Sequence, residues 1–414
     1  MTDVPQIIQL DKVIEPHLDG GKLLTYNSRY LTKPGDNYGS VLLAINAKIQ
    51  TKCGTIKELP LIAKLPPITN ELLWQMFQPE RTCLTENAVY TYLSPALKQL
   101  QLEAGIQESM LYDGLSKYYG SRISLDPKAT KVDANAVLVQ ENLQTLGFRA
   151  GNRHKMFDLQ HARVILPQVA QFHALALALR MKKPEEFNKN IRPNFRRFDV
   201  NNGMSEEAKL QFEQELLDDV VAATGNDEII LQRVRELIDE YNNLMSSPDK
   251  EDDLYTTIVH FDMWINNLMI KYDEHNLPCQ VKLIDFQMAE YESLVYDVIF
   301  FMFSSLEIEV LEHHTNELFL LYYNSFIKCL NSVGISTKEY SFESFLSEIH
   351  KYAPVAICLV LFMIRIILAD DSIMPDNFND VNMDVLSKNG NQTVTQRTAD
   401  VIRLAQKYDF FFRD

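Results

Sequence analysis

Cysteine is sparse. Cys53, Cys83, Cys279, Cys329 and Cys358 are odd in number, widely scattered and form no CxxC pair. Neither a disulfide framework nor a zinc site is indicated, and a reducing cytoplasm is the expected location. Positive charge is also short: 40 Lys and Arg stand against 56 Asp and Glu, a net −16 over 414 residues. Nucleic acid and anionic membranes both need exposed cationic patches, so neither is expected as a partner. The deficit is local. Residues 205–254 hold fifteen acidic and four basic residues, and the rest of the chain is near neutral. The opening MTDVPQIIQLDKVIEP lacks a basic leader and an apolar core, so no signal peptide is expected. The most apolar stretch, PVAICLVLFMIRIIL (354–368), is interrupted by Arg365 and is short for a membrane span, which predicts a buried helix.

What is present is a chain of 46% hydrophobic content, enough for a large core. NYGSVLLAINAKI (37–49) and ELPLIAKLPP (58–67) are strand-like, with TKCGT as the turn between them. A helical stretch, TENAVYTYLSPALKQL (85–100), comes next, then strand-like ESMLYDG (108–114) and ANAVLVQENL (134–143). From about residue 160 the apolar spacing turns helical, and 205–245 reads as two amphipathic helices. NLMIKYD and CQVKLIDFQ form two short strands around EHNLP. The order predicts an α+β chain. A nucleotide-binding lobe with an N-terminal extension spans residues 1–139, and a catalytic and substrate-binding lobe spans 140–414. A cleft between them would suit a cofactor.

Inside the apolar run VHFDMWINNLM (259–269) stand His260, Asp262, Asn266 and Asn267. Buried polar side chains are costly unless they are paired or have work to do. Asn267 follows Asp262 by five positions, and Asp285 lies eighteen residues beyond, at a strand end. Hard oxygen donors of this kind suit Mg²⁺. Phosphoryl transfer needs one aspartate to accept a hydroxyl proton, and an asparagine with a second aspartate for the metal. The pattern H-x-D-x-x-x-x-N, then a strand ending in D-F, is the kinase catalytic-loop and metal-loop pair. The first half then supplies an ATP site. Lys64, on a strand after the loop GDNYGS, can reach the phosphates, and Glu86 in the next helix can pair with it. Asn37 and Ser40 add side-chain donors to a loop whose only glycines are Gly35 and Gly39. VLVQENL (137–143) resembles an inter-lobe connector, with adenine bound near Gln140 and Glu141.

Together with IAKLPP, ENAVY and QFHALALAL, these motifs resemble the ecdysteroid kinase-like family, insect-rich relatives of choline kinases and aminoglycoside phosphotransferases. The resemblance runs from about residue 30 to 370. It implies a protein-kinase-like two-lobe fold, with a small N-terminal sheet lobe and a large, mostly helical C-terminal lobe. It also implies ATP- and Mg²⁺-dependent phosphorylation of a small-molecule alcohol, a steroid or xenobiotic. By position Asp262 resembles the catalytic base, Asn267 and Asp285 the metal ligands, and Lys64 with Glu86 the phosphate-lysine pair. Asp297, in SLVYDVIFF, matches an aspartate that props the catalytic loop through backbone N–H groups. Asn266 and His260 are expected to shape and steady that loop.

Two departures stand out. Phe261 occupies a position where most such relatives have glycine, which permits backbone angles that phenylalanine disfavours. Gly39 stands where alanine is frequent, a change expected to be small. His173 is read as a packed helix residue. The cluster Arg180, Lys182, Lys183, Lys189, Arg192, Arg196 and Arg197 is read as solvated surface. A catalytically weak protein that binds nucleotide or steroid is the alternative function. A protein-substrate kinase is disfavoured, because no A-P-E segment follows IDFQ and the chain passes almost directly to SLVYDVIFF.

Overall fold

The computed structural model describes residues 4–31, 39–67, 70–199, 205–248, 250–368 and 391–412. A short helix, α1 (Leu10–Ile14), precedes strand β1 (Lys22–Tyr30), β2 (Val41–Gln50) and β3 (Ile56–Leu65). Helices α2 (Glu71–Phe77) and α3 (Pro79–Ala88) follow, and a π-turn over Val89–Leu93 runs on into α4 (Ser94–Glu103). Strands β4 (Tyr118–Arg122) and β5 (Val137–Glu141) complete an antiparallel sheet in the order β1-β2-β3-β5-β4. Alternation gives this sheet two faces. Leu61, Ala63, Val137 and Val139 join a core with Leu10, Val13 and Ile14 of α1. The opposite face carries Lys64 toward the rest of the chain. The division expected between residues 139 and 140 falls inside β5.

Beyond β5, β6 (Phe148–Ala150) pairs across the sequence with β8 (Leu268–Tyr272), which pairs with β9 (Pro278–Leu283). The long helix α5 (Leu159–Lys182) is capped by Asp158, whose side chain accepts from the N–H groups of Gln160 and His161. A short turn of helix, α6 (Pro184–Glu186), leads to α7 (Glu206–Thr224) and α8 (Glu228–Ser246). These last two are the expected amphipathic pair. β7 (Thr256–Val259) and β10 (Glu290–Ser293) form a fully buried two-stranded ladder. The remaining helices are α9 (Val295–Ser305), α10 (Ile308–Ser332), α11 (Phe342–Ile367) and α12 (Gln392–Lys407).

Two expectations change, and the buried helix at 354–368 is found within a longer one. ESMLYDG is not a strand: Glu108–Met110 make one 3₁₀ turn, and β4 begins at Tyr118. The stretch 354–368 belongs to a 26-residue helix, so length alone would let it cross a membrane, as it would α5. Both are largely buried within the protein instead, and α11 packs on α9. The basic cluster is in good part structural. Arg197 is bonded to the buried Glu292 at 2.5 Å, Arg180 to the Tyr291 hydroxyl at 2.8 Å, and Arg192 to Asp252 at 3.1 Å.

Candidate active site

The segment 260–267 is held from below by α9. Asp297, fully buried, accepts from the backbone N–H of His260 (2.6 Å) and of Phe261 (2.8 Å). It also meets His173 Nε2 of α5 at 2.9 Å, and His173 Nδ1 meets the Tyr322 hydroxyl of α10 at 2.6 Å. His173 is thus more than packing: it braces the carboxylate that braces the loop. Phe261 takes φ +61°, a left-handed conformation, and its ring lies 5.4 Å from that of Tyr296. Serine 305 completes the support, its Oγ accepting from the Ile265 N–H at 3.0 Å.

Within this frame Asn267 Nδ2 donates to Asp262 twice, to its carbonyl (2.8 Å) and to Oδ2 (2.9 Å). Asp262 is half-buried, and its pKa is raised to about 8, by burial first and by the Asp285 charge second. The Ile284 N–H donates to the Asn267 carbonyl at 3.1 Å, which joins this loop to the one bearing Asp285. His260 adds a second tie, Nε2 to the Ile284 carbonyl at 2.8 Å. Burial lowers its pKa, and because a carbonyl only accepts, Nε2 carries the donated proton. Asn266 lies in the 3₁₀ turn Ile265–Asn267, half-buried.

Asp285, at φ +65°, faces the sheet. Its Oδ1 is 2.5 Å from Lys64 Nζ, and Lys64 Nζ is 2.6 Å from Glu86 Oε2. Burial works against the Lys64 ammonium, but the charges of Asp285 and Glu86 outweigh it and raise its pKa. Burial pushes Glu86 up to about 7, the two carboxylates sharing one lysine. Around them Ser40, Thr82, Cys83, Leu138 and Gln287 enclose a space of about 20 Å³, room for little more than a water molecule. The buried Ser40 Oγ has no hydrogen-bond partner among the described residues. Asn37 lies outside the described residues. Gln140 is paired into β5, and the Glu141 N–H is taken by the Lys117 carbonyl at 2.9 Å. The Glu141 carboxylate accepts from the Lys117 N–H at 2.6 Å.

Gln287 is a site residue that sequence reasoning missed. A Cβ on Gly39 would stand 2.6 Å from Gln287 Nε2 and 2.9 Å from the Phe77 ring, so alanine there is not the small change expected. The motif IDFQ carries Gln287 in plain view, but nothing in a linear sequence relates it to residue 39.

Among the described residues no group of three or more His, Cys, Asp and Glu side chains is arranged to hold a metal. An asparagine and an aspartate fit a different demand. Mg²⁺ keeps waters and substrate phosphates and takes only one or two protein oxygens. With its side-chain Nδ2 committed to Asp262, Asn267 has its side-chain Oδ1 left for such an ion.

The sheet order, the Lys64–Glu86 pair across it and the propped 260–267 loop define a two-lobe protein-kinase-like fold. The ecdysteroid kinase-like family model matches residues 34–335, and the chain belongs to that family. Solved structures similar to it include an ethanolamine kinase of Plasmodium vivax (10% identity, TM-score 0.39, covering 92% of this chain and 84% of that one). An amicoumacin kinase with AMP-PNP and Ca²⁺ has 12% identity and a TM-score of 0.40, with 92% and 87% covered. A macrolide 2'-phosphotransferase from Brachybacterium faecium has 11% identity and a TM-score of 0.36, with 83% and 91% covered. No curated protein matches the chain.

Proposed function

We propose that the chain is an ATP- and Mg²⁺-dependent small-molecule kinase, acting in the cytoplasm on a hydroxyl of an ecdysteroid or a similar steroid or xenobiotic alcohol. The observation that carries this reading is the convergence of Lys64, Asp262, Asn267 and Asp285 at one place, from segments up to 221 residues apart. Asp262 takes the proton of the acceptor hydroxyl. The acceptor oxygen bonds to the γ-phosphorus as the bond to the β-phosphate oxygen breaks, and ADP leaves. Lys64, oriented by Glu86, lies against the α- and β-phosphates, and the Ser40 hydroxyl adds a donor. The adenine lies by Gln140 and Glu141. Asn267 and Asp285 would hold the divalent ion, which when bound neutralises charge on the transferring phosphoryl group.

The acceptor is assigned to an open groove of about 640 Å³ between α8, α9 and α11, walled by Leu244, Tyr296, Tyr352 and Val355 together with Glu240, Asn243, His350 and Lys351. That is the size range of sites for drug-sized ligands. Tyr296, on its wall, packs on Phe261, the residue before Asp262.

Asp262→Asn should lower alcohol-dependent ATP turnover about 10²–10⁴-fold, the usual worth of a general base, while binding of Mg²⁺·AMP-PNP survives. Turnover retained in that variant would remove Asp262 from its role. A catalytically weak binding protein is the second reading, favoured by the direct Lys64–Asp285 contact in a closed cleft. It predicts nucleotide binding by the wild type with no turnover on any alcohol of a steroid panel.

A further inference from the structure

The helix that carries Glu86 is fastened to the larger lobe by side chains the ion pair does not use. Gln78, Arg81 and Thr85 are spaced three and four residues apart, which places them along one face at the start of α3. Gln78 Nε2 donates to the Asp199 carbonyl at 2.7 Å, and Thr85 Oγ1 to the Asn194 carbonyl at 2.8 Å. Between them the Arg81 guanidinium donates to the carbonyls of Gln287, Arg196 (2.7 Å) and Ala289 (2.9 Å). It also reaches Glu290 Oε1 at 3.5 Å and lies 5.6 Å from the Phe198 ring centre.

Two of those carbonyls, Gln287 and Ala289, belong to the turn that starts at Asp285. The contacts therefore close a ring. Lys64 bonds Glu86, α3 links Glu86 to Arg81, Arg81 bonds the turn after Asp285, and Asp285 returns to Lys64. We propose that Arg81 is a positioning residue: it fixes where Asp285 stands relative to Lys64, and so the gap in which nucleotide phosphates and a divalent cation must fit. This rests on the kinase reading given above. A guanidinium suits the task, because its planar fork presents five donors in fixed directions and can span several carbonyls at once. A lysine ammonium supplies the charge without that geometry. The same bonds tie α3 to residues 194–199 and 287–290, so α3 belongs mechanically to the larger lobe.

The test uses the full chain and titrates Mg²⁺ against AMP-PNP binding by calorimetry, a readout independent of turnover. Arg81→Ala should raise the Mg²⁺ concentration for half-maximal nucleotide binding about tenfold, the scale set by losing a residue that orients a metal ligand. Arg81→Lys should recover less than half of that shift. Asp285→Asn should remove the Mg²⁺ dependence, and adding Arg81→Ala to it should change nothing further, as expected for two groups acting through one another. A folded Arg81→Ala protein with an unshifted Mg²⁺ requirement overturns the role of Arg81, as does an equal loss of binding in the Asp285→Asn background. Should Arg81→Ala fail to fold, Arg81→Lys carries the same comparison: its Mg²⁺ requirement must rise about threefold, and an unchanged requirement overturns the proposal. If the wild type binds no Mg²⁺·AMP-PNP at all, the kinase reading fails, and this inference with it.

Discussion

Phe261 pays for its place in backbone strain. At φ +61° an L-residue with a Cβ is disfavoured by roughly 1–2 kcal/mol. Two features hold it there: its N–H is donated to Asp297, and its ring is buried against Tyr296. These contributions can be separated by substitution. Phe261→Ala loses the buried ring, about 3–5 kcal/mol, and keeps the strained angle. Phe261→Gly loses the same ring but takes the angle freely, recovering about 1 kcal/mol. Glycine should therefore be more stable than alanine at 261 in urea unfolding, the reverse of the usual order. Equal stabilities, or alanine ahead, would show that the angle is not strained. The sequence made this position conspicuous, because an aromatic residue interrupts the motif. It could not say that the ring packs against Tyr296, since that depends on a helix more than thirty residues downstream.

At the scale of elements, the loop 260–267 is positioned by α9 and α5 as well as by its own hydrogen bonds. One buried carboxylate, Asp297, serves two backbone donors and His173. Asp297→Asn keeps the shape but turns an amide NH₂ toward groups that need acceptors. Leaving a buried donor unmet costs about 1–3 kcal/mol per group, so a loss of about 2–3 kcal/mol in urea unfolding is expected. A shift below 0.5 kcal/mol would mean that the loop is held by something else. Elements whose apolar residues repeat at 3.6 or 2 were legible in advance: α5, the pair α7 and α8, the hairpin β8–β9, and the strands β2, β3 and β5. β1 was not, because its burial alternates only between partly and fully exposed positions, and an edge strand of that kind leaves little hydrophobic pattern. The ties from Gln78, Arg81 and Thr85 were hidden for another reason. Their acceptors are backbone carbonyls, which every residue possesses, so no residue type marks them.

For the whole molecule, the question on the proposed function is how a nucleotide enters the space between Lys64 and Asp285. Lys64 bonds Asp285 directly, and Gly39 stands close to the Gln287 and Phe77 side chains. The space around Lys64 is about 20 Å³, so on the proposed function a triphosphate needs more room than this conformation gives. Closed and open states are then in competition, and a ligand that needs the open state loses affinity in proportion to the closed population. A Cβ at residue 39 acts on that balance. In the closed state it meets the Gln287 amide, which can swing away, and the Phe77 ring, which is less free. Overpacking of this kind costs about 1–3 kcal/mol. In an open state, with the loop lifted from Gln287, the methyl meets neither. Gly39→Ala should accordingly be less stable than the wild type without ligand, yet bind Mg²⁺·ATP more tightly, about fivefold for each 1 kcal/mol removed from the closed state. Paired urea unfolding and calorimetry measure both effects on the same protein. Weaker binding by Gly39→Ala would mean that the methyl obstructs the nucleotide itself, and that the loop at residue 39 keeps its place when the cleft opens.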